Sequence, residues 1–220
     1  MNLSSSLEEI CPYGSVGHCC LANGVGISPP AIDLVQTEGW AVARTEEFLG
    51  GRRSARTALD QVGAGIDQLL TRNEAGLPSW PVGYVGSISH CMGICAAVVG
   101  PTNLFPVLGL DVERVDRISE RAAERVVHSL ESSFYRGQQL HASILFSLKE
   151  AFYKAQYPRW SHQASFCEMA LEVDLSVGSA RIEFLSERLS KGMEGFGMDD
   201  FHFRFVLVDS YVISLCWLEV

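Results

Sequence analysis

The stretch PVLGLDVERV, residues 106–115, reads as a β-strand whose start is bounded by Pro106. Two blocks, each helical and β in character, meet beside it near residue 108. On the N-terminal side the pattern turns helical from about Gln36 to Val62. GLPSWPVG, residues 76–83, breaks it with glycine and proline. YVGSISHCMGICAAVVG, residues 84–100, then reads as two β segments with a turn near Cys91–Gly93. On the C-terminal side, residues 119–136 and 141–157 look helical, and β segments follow at about 166–175, 180–185 and 202–218. Residues 1–30, rich in glycine and serine, read as irregular. The pattern as a whole is α+β.

The strand carries Asp111 and Glu113 one residue apart, so both carboxylates project from the same face. Two like charges that close repel, and each would have a raised pKa unless a cation sits between them. Oxygen ligands on a rigid strand suit Mg²⁺, which takes one or two carboxylates and leaves the rest to water and phosphate. The bland alternative is an edge strand whose acids pair with Arg114 or Arg117. A third carboxylate bears on the choice. In LFSLKEAFYKAQYP, residues 145–158, Phe146, Tyr153 and Tyr157 fall within roughly 20° of one direction on a helical wheel, and Glu150 lies about 40° from it. Glu150 is therefore expected on a buried face, where carboxylates are paired or bound to metal. Lys154, one turn on, would otherwise be its surface partner.

A second cluster lies in RTEEFLGGRRSARTALDQV, residues 44–62. With Phe48 at zero, Ala55, Leu59 and Val62 fall within roughly 40° and mark the core face, and Arg44 and Arg52 border it. Arg53 and Arg56 lie further off, at about 140° and 80°. Arginines beside a buried stripe need an anion, and guanidinium grips phosphate bidentately. The pair Gly50-Gly51 weakens the helix but permits close backbone approach. In GSISH, His90 ends a β segment, placed to bind phosphate or to act as acid or base. His90 stands where a nucleophile elbow would need glycine, so a hydrolase of that type is not supported.

Composition narrows the classes. The 220 residues are 47% hydrophobic and 20% charged, which is ordinary for a soluble globular protein. A net charge of −9 argues against nucleic-acid binding, so any anionic ligand needs a local positive site. Seven cysteines, an odd number without a C-x-x-C pair, read as reduced thiols. His18, Cys19 and Cys20 lack a second ligand pair at a metal-site spacing. The N-terminus has neither a basic start nor a long apolar run, and no segment offers the roughly 18 apolar residues of a membrane span. These features lead us to expect a cytoplasmic protein.

Taken in order, RTEEFLGGRRSARTAL, GLPSWP, GSISH, GLDVE and FSLKEAFYKA closely resemble the 4′-phosphopantetheinyl transferases, particularly their compact enterobactin-synthesis and surfactin type. GLDVE with FSLKEAFYKA is the most specific pair. The resemblance implies two similar α+β halves, residues 1–108 and 109–220, related by a pseudo-twofold axis with coenzyme A in the cleft between them. It implies transfer of 4′-phosphopantetheine from coenzyme A to a serine of an apo carrier protein of fatty-acid, polyketide, non-ribosomal peptide or siderophore synthesis, releasing adenosine 3′,5′-bisphosphate. By position, Asp111, Glu113 and Glu150 match the acids that bind Mg²⁺ (or Mn²⁺), and Lys154 matches the lysine on the pyrophosphate. His90, with Ser89 beside it, matches the histidine at the 3′-phosphate. Arg44 and Arg52 match arginines on the nucleotide phosphates. Asp111, Glu150 and Lys154 would be catalytic, Glu150 as candidate base, and the enzyme a monomer acting without nucleic acid or membrane. One position departs: Ala75 stands where many relatives have a lysine before the glycine of G-x-P, and Arg53 or Arg72 would have to make up that contact. A Mg²⁺-dependent phosphohydrolase and a non-catalytic coenzyme-A-binding module are the alternative readings of the same residues.

Overall fold

The computed structural model describes residues 3–24, 33, 36–65, 70–193 and 195–220. Its first half holds α1 (Leu3–Ile10), β1 (Val16–Leu21), α2 (Val42–Gln61), β2 (Tyr84–Cys91) and β3 (Ile94–Pro101). The strands form an antiparallel sheet in the order β1-β3-β2. Residues 1–30 are thus not irregular throughout, because a helix and a strand occupy much of them. The polar run Ser4–Ser6 hides an amphipathic turn whose apolar residues Leu7 and Ile10 are buried. The expected start of α2 at Gln36 moves to Val42. Two glycines let that helix lie close on the sheet. A Cβ on Gly50 would come within 2.6 Å of Cys95 Sγ, and one on Gly51 within 2.7 Å of Ile88 Cγ2.

The second half holds β4 (Leu108–Arg114), α3 (Glu120–Val126), α4 (Ser132–Tyr135), α5 (Gln139–Trp160), β5 (Met169–Asp174), β6 (Ser179–Leu185), α6 (Glu187–Gly192), β7 (His202–Val208) and β8 (Tyr211–Trp217). Its antiparallel sheet runs β4-β8-β7-β6-β5. The single helix expected over 119–136 breaks after Val126, because the chain turns there through the 3₁₀ segment Ser129–Glu131. The segment expected at 202–218 is a hairpin, turned at Asp209 with φ +53°.

The architecture is α+β, with a long helix on an antiparallel sheet in each half, although the sheets differ in strand number. Leu7 and Ile10 join Leu108, Leu110, Ile213 and Leu215 in one cluster that welds the halves. Burial of each such side chain contributes about 1.5–3 kcal/mol. On the other face of β4, Gly109 allows α5 to cross at van der Waals contact. A Cβ there would fall 2.0 Å from the carbonyl oxygen of Ala151. That crossing sets the residues of β4 directly beside Glu150 and Lys154.

Candidate active site

β4 sits at the edge of its sheet, bonded to β8 on one side and packed against β2 on the other. Its alternation turns Asp111 and Glu113 to the same buried side, where they are 5% and 4% exposed. Asp111 Oδ1 accepts a 2.7 Å hydrogen bond from Lys154 Nζ and a 3.0 Å bond from Ser89 Oγ. Lys154 Nζ also donates to Ser89 Oγ at 2.9 Å. Strand β2, strand β4 and helix α5 therefore meet in one three-residue knot across the two halves. The second oxygen of Asp111, Oδ2, is buried with no hydrogen-bond partner among the described residues.

Glu113 is differently placed. Its Oε1 accepts from Cys91 Sγ at 3.0 Å and from the Arg114 amide at 2.8 Å. Arg117 Nη1 reaches both its oxygens at 3.3 Å. The bland reading of a solvated edge whose acids pair with arginine holds for Glu113 only in the pairing, since the residue is buried.

The wheel misplaced Glu150. The buried stripe of α5 is Leu145, Leu148, Ala151, Phe152 and Ala155, while Glu150, Phe146, Tyr153 and Tyr157 are half-buried along the cleft. Of the aromatics that marked that face, Tyr153 and Tyr157 line a cavity, while Phe146 packs against the core. The bland alternative, a surface pair with Lys154, does not form: the lysine bonds Asp111 instead. Glu150 makes no hydrogen bond among the described residues, and its carboxyl pKa is raised. Burial is the main cause, Lys154 opposes it, and the charges of Asp111 and Glu113 add to it.

No three His, Cys, Asp or Glu side chains among the described residues lie close enough together to hold a metal ion. Asp111 and Glu150 nevertheless suit a hard cation. One has an orphaned buried oxygen, and the other carries a carboxylate crowded by two like charges.

The arginine helix builds a second, adjoining pocket of about 240 Å³. Arg44, Arg52, Arg72 and His90 line it, with Glu47 the one carboxylate among them. Arg44 is exposed rather than bordering the core, and its guanidinium stacks 4.5 Å over the Trp40 ring. Arg52 is 3% exposed, stacks 5.0 Å over Phe48, and has Nη1 buried without a hydrogen-bond partner among the described residues. Its pKa is pushed down to about 10, by burial first, with Asp33 opposing and the charges of Arg56 and Arg72 adding to it. His90 Nδ1 stands 3.2 Å from Glu47 Oε2. Arg53 instead donates to the carbonyls of Leu21 and Ala22, and Arg56 pairs with buried Asp33. Ser89, expected beside His90, faces the Asp111 knot because neighbouring strand residues point to opposite sides. A cavity of about 430 Å³ continues between the halves, walled by Trp80, Val85, Pro106, Tyr153, Lys154 and Tyr157.

Two family models match the chain. One, described as the 4′-phosphopantetheinyl transferase N-terminal domain, covers residues 37–100, and the other, the 4′-phosphopantetheinyl transferase superfamily, covers residues 107–216. The chain belongs to the 4′-phosphopantetheinyl transferase superfamily. It is 31% identical over 180 residues to 4′-phosphopantetheinyl transferase Npt of Nocardia iowensis, covering 78% of this chain and 81% of that one. It is 35% identical over 144 residues to 4′-phosphopantetheinyl transferase PptT of Mycobacterium tuberculosis, covering 60% and 63% respectively. Enterobactin synthase component D of Salmonella typhimurium is 35% identical over 121 residues, covering 51% of this chain and 48% of its own. Among solved structures, the Chronobacterium ammoniagenes ACPS–CoA complex aligns with a TM-score of 0.43 at 20% identity, over 51% of this chain and 96% of that one.

Sequence reasoning missed several partners within this 4′-phosphopantetheinyl transferase. Cys91 on Glu113 had no signal, because it stands 22 residues away in the chain. Lys149, next to Glu150, is buried and bonds Glu131 Oε2 at 2.8 Å, together with the carbonyls of Val126 and Phe166. A lysine on an apolar helix face was the available hint. Among the described residues, no helix is long and apolar enough to cross a membrane.

Proposed function

We propose that this transferase moves the 4′-phosphopantetheine of coenzyme A onto a serine hydroxyl of an apo carrier protein at the Asp111–Lys154 knot, with Mg²⁺ held by Asp111, Glu113 and Glu150. The observation that carries the reading is Lys154, bonded at once to Asp111 of β4 and Ser89 of β2 on the wall of the cavity between the halves. Glu113 would join Asp111 and Glu150 around the ion only if Arg117, whose side chain is 59% exposed, gave up its 3.3 Å contacts and the three carboxylates drew closer together than they stand here.

The residues divide the work. Arg44, Arg52 and His90 grip the nucleotide phosphates, and the cavity between the halves takes the pantetheine arm. Lys154 leaves Asp111 and places its ammonium on the pyrophosphate. Glu150 accepts the serine proton, directly or through one water, because burial lifts its carboxyl toward the operating range. The serine oxygen forms a new bond to phosphorus as the pyrophosphate bridge breaks, and adenosine 3′,5′-bisphosphate departs. The bound ion would supply neutralisation of charge on the pyrophosphate oxygens.

Intact-mass spectrometry of apo carrier domains with coenzyme A and Mg²⁺ tests this. One phosphopantetheine should be gained per carrier serine. Product release without any carrier would instead mark a phosphohydrolase, and no turnover with any carrier would leave only a binding module.

For the partner, we read the groove of Ile118, Ala122, Val126, Phe146 and Phe166, flanked by Arg121 and Arg125, as the carrier docking surface. Carriers of this class are acidic and this chain carries −9, so contact must be local and largely apolar. Carrier affinity is expected to change less than about threefold between about 50 and about 200 mM NaCl. A steep loss in a salt titration by calorimetry would overturn this.

A further inference from the structure

Each of the two acids on β4 already carries a cation of this chain. Lys154 pairs with Asp111 at 2.7 Å, and Arg117 pairs with Glu113 at 3.3 Å. Lys154 has a task on the pyrophosphate during transfer, whereas Arg117 has none.

The two oxygens of Glu113 are held unequally. Oε1 accepts from Cys91 Sγ at 3.0 Å and from the Arg114 amide at 2.8 Å, with Arg117 Nη1 a third donor at 3.3 Å. Oε2 has Arg117 Nη1 as its one hydrogen-bond partner among the described residues. The thiol stands on β2 and the amide on β4, so both keep the carboxylate oriented whether or not Arg117 stays. Arg117 also reaches Cys91 Sγ at 3.7 Å, which places it over the same end of the β2–β4 seam. A single nitrogen spans both oxygens, without the two-pronged fork that makes such pairs strong. The Glu113 side chain is 5% exposed and that of Arg117 is 59% exposed. A solvent-facing cation therefore balances a buried charge through long contacts. It is needed while nothing else balances Glu113, and it yields readily once something does.

Glu113 stands close enough to Glu150 for their charges to act on one another. Asp111, on the same face of β4, has Oδ2 without a partner among the described residues. Freed of Arg117, Glu113 Oε2 becomes another unpaired carboxylate oxygen on that side of the strand. We infer that Arg117 is a resident counter-cation that competes with a divalent ion for Glu113 Oε2 and thereby raises the ion concentration the site requires. The inference rests on the metal reading and adds to it the residue that sets the demand for ion. An ion that draws on Oε2 displaces Arg117, and by linkage Arg117 weakens that ion's binding by the same factor.

Mn²⁺ is the probe, titrated into the protein with coenzyme A, with free ion counted by electron paramagnetic resonance and a protein-free blank subtracted. Arg117→Gln should bind Mn²⁺ about three- to tenfold more tightly than wild type. In a Glu113→Gln background the same substitution should change the affinity less than about twofold, because the contested oxygen is gone. Arg114→Gln removes an equal charge from a side chain that pairs with Asp116, and it should also change the affinity less than about twofold. An arginine with only a structural role would lower the melting temperature on removal without tightening the ion. Unchanged or weaker binding in Arg117→Gln, tightening that persists in the Glu113→Gln background, or equal tightening in Arg114→Gln would each overturn the inference. Failure of both wild type and Arg117→Gln to bind Mn²⁺ would instead count against the metal reading itself.

Discussion

Glu150→Gln is expected to slow phosphopantetheinylation about 10²–10⁴-fold while leaving the affinity for coenzyme A within about threefold. Glutamine keeps the shape of the side chain but can neither accept the serine proton nor offer a full charge to a cation. On the proposed assignment the nucleotide is gripped by Arg44, Arg52 and His90, which line the adjoining pocket, so binding and chemistry should separate. The fold should not suffer. Glu150 makes no hydrogen bond among the described residues, and neutralising it relieves above all the cost of burying its charge. Thermal unfolding of the variant should therefore match or exceed wild type. Rates come from time-resolved intact mass and affinity from calorimetry. If raising Mg²⁺ restores the rate, Glu150 acts mainly as a ligand. If it does not, the residue acts mainly as base. Full activity would remove Glu150 from the mechanism.

Lys149→Ala, one residue away, should do the opposite. Lys149 and Glu131 are 2% and 0% exposed at their side chains, and Glu131 also accepts from the amides of His128 and Leu171. Removing the lysine leaves a carboxylate buried without its counter-charge, at a cost of about 3–5 kcal/mol. For a chain of this length that lowers Tm by about 6–20 °C. Lys154→Ala is the comparison. Its ammonium is 28% exposed and its partner Asp111 keeps the Ser89 bond, so Tm should fall by much less while turnover collapses. A Lys149→Ala protein that melts within about 2 °C of wild type would show that the buried pair contributes little to the fold.

These neighbours illustrate what a sequence conveys about a helix. The wheel identified the Glu150 side of α5 as unusual because aromatic residues cluster there. It could not tell a core from a cleft, since both are lined by apolar side chains. Lys149 drew no notice because its partner stands 18 residues earlier in a 3₁₀ turn, and nothing local requires the two to meet. On α2 the wheel set Arg44 and Arg52 apart from Arg53 and Arg56, and the first two line one pocket. It misjudged why, since Arg44 is held by stacking on Trp40 and not by the core stripe.

The sequence by itself determined the strand that presents Asp111 and Glu113 together, the helix that carries Glu150 and Lys154, and the family to which their order belongs. Those features follow from backbone periods of 2 and 3.6 residues, which are local. Only the tertiary structure decided the pairings: Lys154 with Asp111 and Ser89, 43 and 65 residues away, Glu113 with Cys91, and Arg72 with the α2 arginines. Such contacts depend on how closely α5 crosses β4 at Gly109 and on where β2 lies against the sheet edge. A short-range pattern carries no record of that distance, because it arises from packing between segments far apart in the chain.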